Sequence, residues 1–77
     1  MMQTTREHDF AKLRGRIISS GNTLASFARL IPMTPQNLSN KLNNKSVFDS
    51  DQMTRIAELL GVSDAEDFCV LFFSFKS

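Results

Sequence analysis

The sequence predicts an all-α fold, one compact bundle of about five short helices. Two observations predict it. Apolar residues recur at helical spacing in separate windows, which places them on one face of each segment. Residues that start and stop helices, among them Gly21, Gly61 and the neighbouring Pro32 and Pro35, fall between those windows. A length of 77 residues allows one domain with a modest core. Residues 1–8 form a polar leader that can be disordered, and residues 9–75 form the domain.

A first helix is predicted over 10–20, capped by Asp9 and stopped by Gly21 and Asn22. Phe10, Leu13, Ile17 and Ile18 form its buried stripe, with Lys12, Arg14 and Arg16 off it. A second helix is predicted over 24–30 with Thr23 as cap, and Leu24, Phe27, Ala28 and Ile31 as its apolar face. The third starts at a well-marked point. Thr34 is a favoured N-cap, and Pro35 follows at the first helical position, where its missing N–H costs nothing. Met33 and Leu38 have the spacing of a hydrophobic staple.

A fourth helix is capped by Asp49 or Ser50. Asp49 and Gln52 are spaced as a capping box, Met53, Ile56, Ala57 and Leu60 form the stripe, and Gly61 is the stop. Ser63 and Glu66 make a second capping-box pair and predict a short fifth helix over 64–68. Residues 69–75 either extend that helix or run as an extended tail, since periodicity cannot separate the two over so few residues.

Several kinds of chemistry are disfavoured. The chain is too short for a large substrate pocket with supporting structure behind it, and it has no phosphate loop. Its only histidine, His8, lies in the polar leader and reads as a solvated side chain rather than a base or ligand. A non-enzymatic protein without a cofactor is therefore expected. The single cysteine, Cys69, allows neither an internal disulfide nor a cysteine-based zinc site, and reads as a small core residue in a reducing cytoplasm. Asp64, Glu66 and Asp67 read as the acidic start of a helix, not as a metal site. Residues 1–9 lack the apolar core of a secretory signal. The longest apolar run, residues 69–73, is far below the roughly 20 residues a membrane span needs.

Charge is segregated. Residues 10–48 hold Lys12, Arg14, Arg16, Arg29, Lys41 and Lys45 and no acid, whereas residues 49–77 hold six acids and two cations. That asymmetry suits a polyanion-binding face. The second and third helices, joined by about four residues, make a helix-turn-helix. Between residues 35 and 45 only Leu38 and Leu42 are strongly apolar, and the rest is rich in amides and ammonium groups. Amide side chains can pair with both N7 and N6 of adenine in the major groove, and Lys or Arg neutralise phosphates. Gln36, Asn37, Asn40 and Lys41 sit near the start of the third helix, the part that reaches furthest into a groove.

Residues 24–43 resemble the helix-turn-helix of the Cro and phage-repressor family. Phe27 and Ala28 match its apolar–Ala pair, Ile31 and Met33 the apolar residues about the turn, Thr34 the polar cap, and Leu38–Ser39 the centre of the reading helix. LSNKLNNKS (residues 38–46), with Phe48 and ELLGVS (residues 58–63), is similar to short Cro-like proteins of phages of Gram-positive bacteria. The resemblance implies a homodimer on a two-fold operator and transcriptional control. It places Gln36, Asn37 and Asn40 on base-reading positions and Thr23, Asn43, Asn44 and Lys45 on phosphate positions. Four positions depart from the pattern. Pro32 stands where Gly is usual and Leu24 where Gln is frequent. Lys41 replaces an apolar residue, and Pro35 occupies a base-contact position.

Two functions follow as expectations. The first is a transcription regulator that binds double-stranded DNA. The second is a phage modulator or antirepressor that binds a partner repressor protein. Val70, Leu71, Phe72, Phe73 and Phe75 either close the monomer core or form a homodimer contact.

Overall fold

The computed structural model describes residues 7–75. They form five helices: α1 (Ala11–Ser19), α2 (Leu24–Leu30), α3 (Pro35–Leu42), α4 (Ser50–Leu60) and α5 (Ala65–Phe72). Among the described residues no strand forms, only an isolated antiparallel bridge between His8 and Phe75. The fold is all-α. Residues 1–6 of the leader lie outside the described residues.

Three helices, α2, α3 and α4, begin at the caps their local chemistry predicts. Thr23 caps α2, accepting from the Ser26 N–H at 3.0 Å while the Ser26 hydroxyl accepts from the Thr23 N–H. Asp49 and Gln52 form the expected reciprocal pair at the start of α4. Gly61, at φ +70°, closes α4 in the left-handed region, with Val62 N–H donating to the Ala57 carbonyl at 2.8 Å. Two caps are shifted. Phe10 is the N-cap of α1, but the Asp9 carboxylate still accepts from the Ala11 N–H at 3.0 Å. Asp64, not Ser63, caps α5 by accepting from the Glu66 N–H.

The core joins all five helices. Leu13 and Ile17 of α1, Phe27 of α2, Leu38 of α3, Ile56 of α4 and Phe72 of α5 are all but fully buried. α1 packs against both α2 and α5, and α2 against α3. Phe48, in the connection after α3, meets Phe10 and Phe72 edge-on at 5.4 and 5.8 Å, an arrangement that suits the ring quadrupoles. Arginines tie helix ends together: Arg55 Nε donates to the Leu30 carbonyl at 3.1 Å, and Arg16 Nη2 to the Leu60 carbonyl at 3.5 Å. A cation at a helix C-terminus also suits the helix dipole.

Three expectations are corrected and one open alternative is decided. Ile18 is 55% exposed, because in a helix it points about 100° round from the buried Ile17. Cys69 is exposed rather than in the core. Segment 69–75, left open between helix and tail, is divided: helical to Phe72, it bends at Phe73 and reaches the bridge at Phe75, where the Asp9 N–H donates to the Ser74 carbonyl at 2.7 Å. His8 is half-buried instead of solvated. Its ring stacks on Phe10 at 5.3 Å and lies 4.7 Å from Phe75, so the ordered domain includes the end of the leader.

No helix among the described residues is long and apolar enough to cross a membrane.

Candidate functional site

The turn between α2 and α3, residues 31–34, fixes how α3 is presented. The Ala28 carbonyl accepts from both the Ile31 N–H (3.1 Å) and the Met33 N–H (2.8 Å). Among the described residues Asn44 is the one non-glycine with positive φ, so the turn at Pro32 closes without the left-handed residue that Gly would supply. Pro32 has no N–H to donate, and the Met33 N–H bond to Ala28 spans it.

α3 then starts as its sequence dictates. The Thr34 hydroxyl accepts from the Asn37 N–H at 3.1 Å, and Pro35 occupies the first turn. Leu38 and Leu42 are buried, so Leu42 takes the packing role that Lys41 leaves open, and Met33 packs against the same cluster. This thin stripe holds the helix down and leaves its outer face polar. Gln36 and Asn37 are exposed and Asn40 half-buried. Gln36 Nε2 donates to Asn40 Oδ1 at 3.0 Å, which sets two carboxamides side by side one helical turn apart.

The other expected site residues divide. The Thr23 and Thr34 hydroxyl oxygens accept cap bonds, and their hydroxyl protons remain available to an outside acceptor. Lys45 is exposed. Lys41 Nζ donates to the Val47 carbonyl at 2.8 Å and is thereby drawn to the loop. Asn43 Oδ1 accepts from Arg14 Nη2 at 2.7 Å, and its Nδ2 reaches Ser39. Asn44 is turned inward: its Oδ1 accepts from the His8 N–H and its Nδ2 donates to the His8 carbonyl. The structure thus brings Gln36, Asn37, Asn40 and Lys45 to one exposed helix and its loop, and turns Asn44 inward.

Sequence reasoning did not anticipate Arg14 against the end of α3, or Val47, which is 83% exposed beside Lys45. The Arg14–Asn43 contact spans 29 residues and has no local signal. Val47 could have been noticed as a β-branched residue in an otherwise polar stretch. Arg55 pairs with Glu58 at 3.9 Å on α4, away from α3. No group of three or more His, Cys, Asp or Glu among the described residues could hold a metal ion.

The expected dimer segment also divides. Leu71 and Phe72 are buried in the monomer, as the core-closing alternative expects. Val70, Phe73 (46%) and Phe75 (41%) remain exposed.

These features define a small all-α domain in which two short helices, joined by a tight turn, display an amide-rich outer face. The family described as "Protein of unknown function (DUF739)" matches residues 6–75, and the chain belongs to it. No curated protein matches the sequence at a significant level.

Proposed function

We propose that the chain is a DNA-binding transcription regulator of the Cro and phage-repressor type, a binding protein rather than an enzyme, with α3 as its reading helix. One observation carries the reading: the outer face of α3 offers the carboxamides of Gln36, Asn37 and Asn40, inside a stretch, residues 10–48, that contains no acid. A carboxamide pairs with adenine N7 and N6 at once. The Gln36–Asn40 bond sets the orientation of both groups before DNA arrives. Exposed Lys12, Arg29 and Lys45 and the Thr23 and Thr34 hydroxyls suit phosphate contacts, which add affinity without sequence choice. The protein acts in the cytoplasm as a homodimer on a two-fold site, through the exposed remainder of the C-terminal segment, Val70, Phe73 and Phe75.

A second reading is favoured by a separate observation. Asp64, the cap of α5, and Glu66 and Asp67 on its first turn are all exposed, and exposed Val70 and Phe73 lie at its far end. An acidic, apolar-edged helix suits docking on the basic face of a partner repressor. Selection of bound sequences from random duplex DNA separates the two readings. The DNA reading expects a two-fold symmetric motif that Gln36→Ala and Asn40→Ala degrade. An unenriched pool would favour the protein partner.

A further inference from the structure

The two ends of the described chain meet at the C-terminal end of α3. His8 and Phe75 form an antiparallel bridge, and the Asp9 N–H donates to the Ser74 carbonyl at 2.7 Å. Asn44 completes this pairing. Its Oδ1 accepts from the His8 N–H at 3.0 Å and its Nδ2 donates to the His8 carbonyl at 2.9 Å. One side chain thus satisfies the N–H and C=O of a single residue, as a neighbouring strand would.

The same residue closes the helix. Asn44 sits at φ +64°, its N–H donates to the Lys41 carbonyl at 3.2 Å, and the next N–H, of Lys45, donates to the Asn40 carbonyl at 2.8 Å. This is the paired bonding of a Schellman end, which needs a left-handed residue. Gly is the usual choice, and Asn is among the few others that tolerate it. Gly would end the helix equally well but could not hold His8. Asn performs both tasks.

Two further bonds stiffen the same corner. Arg14 holds Asn43 at 2.7 Å and Lys41 holds the Val47 carbonyl at 2.8 Å. The His8 ring, stacked on Phe10 and against Phe75, covers the pairing from its apolar side.

We infer that Asn44, His8 and residues 74–75 form a latch, through which the terminal segments hold the 43–47 loop and its Lys45 in position. Asn44 is a positioning residue, not a phosphate ligand. The effect on DNA affinity rests on the proposed reading of α3; the latch itself does not.

Amide and carboxamide hydrogen exchange, followed by NMR on the full chain, tests it. In the unaltered protein the Asn44 Nδ2 proton donated to the His8 carbonyl should exchange about tenfold slower than the carboxamide protons of exposed Asn37. Equal rates would overturn the latch, and this measurement needs no variant. Asn44→Gly keeps the left-handed backbone and removes the carboxamide. The His8 and Asp9 amides should then lose protection together, and affinity for duplex DNA should fall roughly three- to tenfold. Retained protection at both amides would overturn the latch. Lost protection with unchanged affinity would overturn its hold on the interface. If the unaltered protein binds no DNA, the DNA reading fails while the exchange rates still decide the latch.

Discussion

α3 and α5 are both eight residues long, and each buries two side chains, Leu38 and Leu42 in one, Leu71 and Phe72 in the other. Their remaining surfaces differ in kind. α3 shows carboxamides, a hydroxyl and an ammonium, and its core stripe is just wide enough to hold it down. α5 shows acids on its first turn and then carries more apolar surface than the monomer covers, at Val70 and Phe73. The helix with no apolar excess has an outer face available for polar recognition. The helix with an excess leaves apolar side chains exposed, and the proposed contact between copies rests on them.

That contrast can be broken at its most buried point first. Phe72→Ala removes the ring that meets Phe48 and Phe68 in the core. It should cost about 3–5 kcal/mol. That is most of the stability of so small a domain, so urea unfolding followed by circular dichroism should find the variant largely unfolded. Phe73→Ser, one residue on and half exposed, should leave the urea midpoint nearly unchanged and lower the sedimenting mass if the dimer proposal is right. Similar destabilisation by both would show that Phe73 belongs to the core.

On α3 the expected pattern is the reverse, with binding lost and stability kept. Asn40→Ala should weaken binding to the selected sequence by about 1–3 kcal/mol, the worth of a bidentate base contact. Its urea midpoint should stay within the range of ordinary surface changes, roughly 0.5 kcal/mol. Thr34→Ala acts on the helix itself by deleting the cap on the Asn37 N–H, and should cost about 1 kcal/mol of stability by the same urea assay. The smallest effect has the opposite sign. Gly15 lies in mid-α1, and a Cβ there would meet nothing within 4 Å. Gly15→Ala should raise stability by about 0.5–1 kcal/mol, read as a higher melting temperature.

Much of the fold was legible because it is written locally. The bounds of α2 follow from Thr23 and the spacing of its apolar residues, and the start of α3 from Thr34 and Pro35. The capping box and Gly61 do the same for α4. What was not legible depends on contacts distant in sequence. Nothing near Asn44 announces that His8, 36 residues earlier, supplies its partner groups. Residues 69–75 could not be divided into helix and bridge because the division is made by Asp9 and His8, not by the segment's own pattern. Ile18 followed the helical spacing as well as Ile17, but no neighbouring helix reaches it. In the candidate site the amide-rich face of α3 was readable, while the inward turn of Asn44 and the arrival of Arg14 were not.

The central claim, that α3 presents a DNA-binding face, is tested most directly by titrating a fluorescent duplex with the protein across a salt series. Binding at about 50 mM salt is expected, with log affinity falling against log salt at a slope steeper than about −2, the mark of released counterions. The Gln36→Ala, Asn40→Ala double variant should keep that slope and lose the preference for the selected sequence. No binding at low salt, or affinity indifferent to salt, would contradict the claim.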